Sequence, residues 1–474
     1  MISVNNPEQQ KIIQRVMDAG QEHVLHFWPQ LSDDSRQQLL AQIAKIDFQL
    51  LQTLNEHFIQ NAQGNIVQGK LEPAEFTPIP ETPEELEQFQ HFRELGERAL
   101  KSGRVAAFLV AGGQGSRLGF DGPKGLFPFS PIKHKTLFQL YAEKILALSQ
   151  RYGVVIPWYI MTSETNHEQT TQAFEVHAYF GLQAEDVQFF RQEMIPALSP
   201  EGKLFLEEKD RIFTNPNGHG GSLSALFKSG ALADMRRRGI DLIFYFQVDN
   251  VLVNICDPYF LGLHLHTQAQ MSTKIVSKRE PEEKMGVLGK INGKLGVIEY
   301  SDLSEEDSAA RNADGSLKFR AGNLAIHVFD VAFVENLNRG GLKLPWHVAH
   351  KKIAYLNEHG VRVIPEEPNG YKFETFVFDA LQYAEKTAIL EVPREFEFSP
   401  VKNARGIDSP ATARRDQINV FGGWLEIAGL TVPRDAQNNV VGDIEISPLF
   451  ALDEAEFLSK IDPNLKFDGT LYLG

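Results

Sequence analysis

The sequence predicts an α/β protein: a sheet covered by helices, preceded by a helical N-terminal region and followed by a small β-rich domain. Three observations lead there. From about residue 101, apolar runs at 105–111, 155–162, 242–248, 273–278 and 361–364 alternate with amphipathic stretches, the pattern of buried, mostly parallel strands with helices on both faces. Residues 1–100 carry helix-start signals instead, at Ser32-Asp33-Asp34 and Thr82-Pro83-Glu84-Glu85. After about 404, Val, Leu, Ile and turn residues dominate without a long helical pattern. The implied division is 1–100 helical, 101–403 α/β, and 404–474 β-rich.

Taken in order, residues 73–83 hold Pro73, Pro78, Pro80 and Pro83 and should form an extended connector. His134-Lys135-Thr136-Leu137 opens a helix. Arg236-Arg237-Arg238 precedes Gly239, and cations closing a helix against its negative end explain it better than a phosphate site does. Asp257-Pro258 reads as an N-cap and first helical residue. Asn292-Gly293, between the apolar runs 287–291 and 294–300, predicts a type I′ hairpin turn. His347 and His350 are read on a helix, three apart. They could mimic a metal pair, but with no third ligand in view packing or surface is the better reading.

Bulk composition bounds the function. A chain of 474 residues exceeds one simple core, so two or three domains are expected. The net charge of −15 argues against general nucleic-acid binding, which needs a basic surface, but permits a nucleotide substrate held by a few local cations. One cysteine, Cys256, excludes an internal disulfide and a cysteine-based zinc cluster, and fits a reducing compartment. No apolar run approaches the roughly 20 residues of a membrane span. The start, Met1-Ile2-Ser3-Val4, lacks the basic and apolar regions of a secretory signal, so a cytoplasmic protein is expected.

The chemistry concentrates at Leu109-Val110-Ala111-Gly112-Gly113-Gln114-Gly115-Ser116-Arg117-Leu118-Gly119, then Pro123-Lys124-Gly125. A buried strand feeds a glycine-dense turn whose backbone N–H groups can approach an anion closely. Arg117 and Lys124 add positive charge at the same place. The spacing is not that of a P-loop, and it misses the dinucleotide fingerprint by one residue. A second apolar run, 242–248, ends at Asp249-Asn250. A carboxylate beyond a strand's carboxyl end, beside a phosphate loop, suits Mg²⁺, which takes one or two carboxylates and completes its shell with substrate phosphates and water.

These segments resemble the UDP-sugar pyrophosphorylases, most closely the eukaryotic-type UDP-N-acetylglucosamine pyrophosphorylases, over roughly residues 85–420. The resemblance implies a Rossmann-like nucleotide-diphospho-sugar transferase fold with a central mixed sheet. It implies that UTP phosphates are wrapped by Ala111, Gly112, Gly113 and Lys124, with Arg117 and Lys124 neutralising the departing pyrophosphate, and Asp249 holding Mg²⁺. Phe398-Ser399-Pro400-Val401-Lys402-Asn403 is similar to the family's segment whose lysine reaches the sugar phosphate and α-phosphate, which implicates Lys402. Lys372, Gln192 and Gly218 match nucleotide contacts; Gly286, Glu299, Tyr300 and Asn323 match the sugar site. His219 departs from the acetylglucosamine enzymes, which carry an asparagine there, and matches the Gly-His-Gly of the glucose and broad-specificity enzymes. The resemblance therefore implies a uridylyltransferase acting on UTP and a sugar 1-phosphate, with N-acetylglucosamine 1-phosphate preferred. N-acetylgalactosamine, glucose and the oligomeric state stay open. A glycosyltransferase would want Asp-x-Asp, and Asp249-Asn250-Val251 lacks the second carboxylate. A non-catalytic sugar-nucleotide sensor would have no need to keep both the metal and the leaving-group contacts.

Overall fold

The structure, a computed structural model, describes residues 4, 6–60 and 69–474. It resolves into two compact units, each discontinuous in sequence: one of residues 1–67, 193–221 and 344–377, the other of 68–192, 222–343 and 378–474.

The larger unit is built on a ten-stranded sheet. Its strands are β1 (Leu71–Pro73), β2 (Val105–Val110), β3 (Trp158–Thr162), β4 (Val187–Arg191), β5 (Leu242–Gln247), β6 (Met271–Ser277), β7 (Val287–Ile291), β8 (Lys294–Ile298), β9 (Ala321–Asp330) and β10 (Thr387–Glu391). The order is β1-β7-β9-β5-β2-β3-β4, with β6 pairing both β9 and β10, and β8 pairing β7. Strands β5, β2, β3 and β4 are parallel, whereas β9 runs antiparallel to β5 and β6. The sheet is thus mixed rather than mostly parallel. Its centre is apolar on both faces, as parallel strands under helices require: Phe108, Tyr159, Ile160, Phe244, Tyr245 and Phe246 are at most 1% exposed.

Local signals act where the sequence places them. Thr82 and Glu85 close a capping box at the start of helix Pro83–Lys101, satisfying N–H groups the helix cannot satisfy itself. Asp257 caps helix Pro258–Thr267 with Pro258 at its first position, and Asn292 and Gly293 take φ of +52° and +81° in the β7–β8 turn. The two helices pack closely through paired glycines. A Cβ on Gly96 would stand 1.9 Å from the Pro258 carbonyl oxygen, and one on Gly262 would stand 1.7 Å from that of Phe92.

The segment after 404 corrects an expectation. In place of a β-rich domain it carries the helices Pro410–Ile427 and Glu454–Lys460, with a single parallel strand pair, Asp443–Ile446 and Thr470–Leu473. Leu425, Ile444, Ile446 and Phe457 form its small core.

In the smaller unit, helices Pro7–Asp18, Asp33–Ala44 and Phe48–Leu54 bury Ile13, Val16, Leu39, Leu40, Ile43 and Leu51 against Ile195, Leu206, Ile212 and Phe373. Ser32 caps the second helix as expected. Here a second expectation fails: residues 346–351 are not helical but form a strand, Trp346–Lys351, antiparallel to Gly370–Thr375. Strand alternation sends His347 and His350 to opposite faces. Each stacks on an aromatic ring, Phe376 at 4.3 Å and Tyr371 at 4.6 Å. Packing, not metal binding, accounts for them.

Candidate active site

The register of β2 and β5 sets the geometry. Val110 lies opposite Gln247 in parallel pairing, so the chain leaves both strands side by side at the sheet's carboxyl edge, where α/β proteins bind ligands. Val248 donates its N–H to the Val110 carbonyl at 3.2 Å, and the buried Tyr141 hydroxyl donates to the Val248 carbonyl at 3.1 Å. Asp249 follows immediately, half-buried.

The glycine loop closes on itself. Gly115 donates to the Gly122 carbonyl at 2.8 Å and Lys124 to that of Gly113 at 3.1 Å, while Asn166 Nδ2 donates to the Ala111 carbonyl at 2.9 Å. Gly112 runs beside Gln192 and Ser163: a Cβ there would meet Gln192 Oε1 at 3.3 Å and Ser163 Cβ at 3.5 Å. Gln192 therefore stands directly against the loop. Gly113 is open, since a Cβ on it would meet nothing within 4 Å, and Arg117 is exposed nearby in the same loop.

Lys124 is only 8% exposed. Burial, aided by the neighbouring charges of Arg117 and Lys402, holds its ammonium below the ordinary lysine range against the opposing pull of Asp249. Three cations and one carboxylate thus share a field at this edge. That arrangement is suited to a polyanion, which supplies the negative charge the site lacks.

Lys402 reaches the site through a second segment zipped onto the first. Val401 donates to the Asp249 carbonyl at 2.8 Å, Asn250 Nδ2 donates to the Glu397 carbonyl at 2.7 Å, and Ser399 donates to Asn250 Oδ1 at 3.1 Å. The backbone then turns through Asp408, whose carbonyl accepts from Lys402 and Asn403 at 2.7 and 2.9 Å and whose φ is +57°. Beneath lies a buried charge group, with Lys274 Nζ 2.7 Å from both Asp257 and Glu397. Against burial, the two carboxylates keep Lys274 charged, while burial raises the Glu397 carboxyl.

Of the residues expected at the sugar, Gly286, Glu299 and Asn323 lie together. Asn323 donates its N–H to the Gly286 carbonyl at 2.9 Å, and its Oδ1 accepts from Ala325 N–H at 3.0 Å. A Cβ on Gly286 would lie 3.4 Å from Glu299 Oε1. Tyr300 instead is 49% exposed.

Gly218, His219 and Lys372 belong to the smaller unit. Gly218 has φ of +81°, and a Cβ would come within 2.3 Å of the Thr375 carbonyl oxygen. His219 Nδ1 accepts from Val377 N–H at 3.1 Å, and its ring stacks on Phe376 at 5.2 Å. Burial, with His347 nearby, pushes its pKa down to about 4, so the ring is neutral with Nε2 as its donor. The Lys372 ammonium sits 5.0 Å from the centre of the Phe213 ring.

Other charge groups are structural. Arg236, Arg237 and Arg238 end helix Ala231–Arg237 and pair with Glu335, Asp234 and Asp186. Ser272, His264 and Asp330 follow the order of a hydrolase triad, at 2.7 and 3.2 Å, but Ser272 is fully buried and cannot meet a substrate. Asn166, Asn250, Asp408 and Arg394 escaped the sequence reading. The Asn250 beside Asp249 and the Asp408 before Ser409-Pro410 were the available signals.

A single carboxylate at the strand end fits Mg²⁺, since the remaining ligands come from substrate phosphates and water. Among the described residues no cluster of three or more His, Cys, Asp or Glu side chains forms a self-sufficient metal cage, and no helix is long and apolar enough to cross a membrane.

The UTP–glucose-1-phosphate uridylyltransferase family matches residues 49–407. The chain is 39% identical to human UDP-N-acetylhexosamine pyrophosphorylase-like protein 1, over 89% of this chain and 86% of that protein. It is 37% identical to the UDP-N-acetylglucosamine pyrophosphorylase of Saccharomyces cerevisiae, over 88% and 91%. The crystal structure of uridine diphosphate N-acetylglucosamine pyrophosphorylase from Trypanosoma brucei, solved with an inhibitor, superposes with a TM-score of 0.82 at 26% identity, covering 100% of this chain and 99% of that one. With its glycine loop, strand-end aspartate and Lys402 segment inside the matched region, this chain belongs to the UTP–glucose-1-phosphate uridylyltransferase family.

Proposed function

We propose that the protein is a uridylyltransferase that converts UTP and N-acetylglucosamine 1-phosphate into UDP-N-acetylglucosamine and pyrophosphate. The observation that carries this reading is the meeting of Arg117, Lys124, Asp249 and Lys402 at the carboxyl ends of β2 and β5. The sugar assignment is supported by the names of the relatives.

In this reading a phosphate oxygen of the sugar 1-phosphate attacks the α-phosphorus of UTP, and the bond to the bridging oxygen breaks as pyrophosphate leaves. The attacking oxygen is already anionic, so no general base is required. Catalysis then lies in alignment and in spreading charge. Arg117 and Lys124 are assigned to the departing pyrophosphate, and Lys402 to the attacking phosphate and the α-phosphate. Asp249 would hold Mg²⁺, which supplies Lewis-acid charge neutralisation at the phosphates when bound. Ala111, Gly112, Gly113 and Gln192 are assigned to UTP, and Gly286, Glu299 and Asn323 to sugar hydroxyls and the 2-substituent. Gly218 and Lys372 as nucleotide contacts, and His219 and Tyr300 as sugar contacts, rest on the family resemblance. We place the enzyme in the cytoplasm, consistent with its single, buried cysteine.

A second reading, use of glucose 1-phosphate, is favoured by the neutral imidazole of His219 where the acetylglucosamine enzymes carry an asparagine. Both are tested by mixing protein, UTP and Mg²⁺ with a panel of sugar 1-phosphates and measuring pyrophosphate. Release with N-acetylglucosamine 1-phosphate well above glucose 1-phosphate is expected. No release with any sugar overturns the assignment.

A further inference from the structure

We propose that Arg394 is a positioning residue for sugar choice, tying the wall of the sugar cluster at 283–286 to the segment that presents Lys402; this rests on the uridylyltransferase reading above. Arg394 opens the short helix Arg394–Glu397, directly after β10. Its guanidinium Nη2 lies 2.8 Å from Glu283 Oε1, 3.4 Å from the Ser277 carbonyl and 3.8 Å from Met285 Sδ. One cation thus holds both sides of the chain leaving β6 and returning to Gly286.

Met285 in turn fills the space left by Gly322, where a Cβ would stand 2.4 Å from its sulfur, and Gly286 accepts the N–H of Asn323. The position of Met285-Gly286 relative to Glu299 and Asn323 is therefore fixed from outside by Arg394. On its other side the guanidinium lies over the Phe398 ring at 5.6 Å, and the Lys402 ammonium lies over the same ring at 5.8 Å. Arg394 Nε is buried and makes no hydrogen bond to any described residue. A buried donor left so is destabilising, so an arginine here is better explained by what its Nη2 and its ring contact hold than by stability alone. All three contacts come from Nη2, so what separates arginine from lysine here is the planar guanidinium lying over Phe398, which aims that nitrogen and which a lysine ammonium lacks.

The test compares wild type, Arg394→Lys, Arg394→Met and Glu283→Gln for pyrophosphate release with N-acetylglucosamine and glucose 1-phosphates, alongside thermal melting. The expected result is a fall of about tenfold in the kcat/KM ratio between the two sugars, a raised KM for the sugar 1-phosphate and an unchanged KM for UTP. Glu283→Gln, which leaves the helix and Phe398 untouched, should move the ratio the same way, and should add little to Arg394→Met in the double variant. An unchanged sugar ratio in folded Glu283→Gln, or equal losses for both sugars and UTP, overturns the role. If wild type itself releases no pyrophosphate with any sugar, the uridylyltransferase reading falls and this role falls with it. An active wild type with an insensitive ratio defeats only the latter.

Discussion

The two glycine clusters of this chain, 111–125 and 214–221, differ in what they carry besides glycine. The first sits at the end of a buried parallel strand, gathers Arg117, Lys124 and Lys402 around Asp249, and leaves Gly113 open. The second presses Gly218 against Thr375 and carries a neutral imidazole on Phe376. Glycine therefore serves two ends: Gly113 leaves open space beside the cations, whereas Gly115 and Gly218 make room for the protein's own backbone. Charge separates the two, since a polyanion needs cations whereas neutral groups need fixed donors and acceptors.

The largest effect should come from the charged loop. Asp249→Ala, Lys124→Ala or Lys402→Ala should each lower kcat by roughly 10²–10³-fold, the usual cost of removing one electrostatic clamp. Steady-state pyrophosphate release at saturating UTP measures this, and near-normal turnover in all three would dissolve the distinction between the loops. Next, His219→Asn should raise the preference for N-acetylglucosamine over glucose 1-phosphate by about tenfold if the imidazole sets sugar choice. An unmoved ratio leaves His219 as a packing residue.

The glycines sharpen the contrast. Gly113→Ala should leave the melting temperature in place while raising the KM for UTP by about tenfold, a loss of close backbone approach. Gly218→Ala should lower stability by about 1–3 kcal/mol through strain at positive φ. A drop in melting temperature for Gly113→Ala, or none for Gly218→Ala, reverses the assignment.

Two pH effects are smaller. Lys124 is held below the ordinary lysine range in the free protein, so kcat/KM for UTP should fall on the alkaline side before an ordinary lysine would lose its proton. Lys124→Arg, if active, should lack that limb. His219 has its pKa lowered from 6.5 to about 4 in the folded protein. The unfolded chain then binds the proton more readily between those values. Its contribution to stability is whole above about pH 6.5 and is lost as pH falls towards 4. Denaturation midpoints measured across that window should vary less with pH in a folded His219→Gln variant.

Much of this was legible because it is local. Apolar runs ending in glycine or aspartate marked β2 and β5, hydroxyl and carboxylate caps marked helix starts, and Asn292-Gly293 marked its hairpin. Helix Pro410–Ile427 was missed although Ser409 and Thr412 form a capping box at its start. Gly422 and Gly423 lie within it, and glycine disfavours a helix interior. Packing overrides that cost, for Gly422 lies so close to Val440 that a Cβ would stand 2.4 Å from its methyl group. Strand Trp346–Lys351 was hidden for a similar reason: its short, mixed sequence becomes a strand by pairing with Gly370–Thr375.

The chain by itself determined the chemistry on offer: a glycine loop with Arg117 and Lys124, a strand-end Asp249, a Lys402 segment and one cysteine. Short-range sterics and hydrogen bonding dictate such features, so neighbouring residues suffice to reveal them. Only the tertiary structure decided that β2 and β5 pair in parallel, that Asn250 draws the Lys402 segment onto Asp249, and that Arg394 reaches Met285. Those contacts join residues more than a hundred positions apart, and they form only once burial of the apolar strands has repaid the entropy of closing the chain between them.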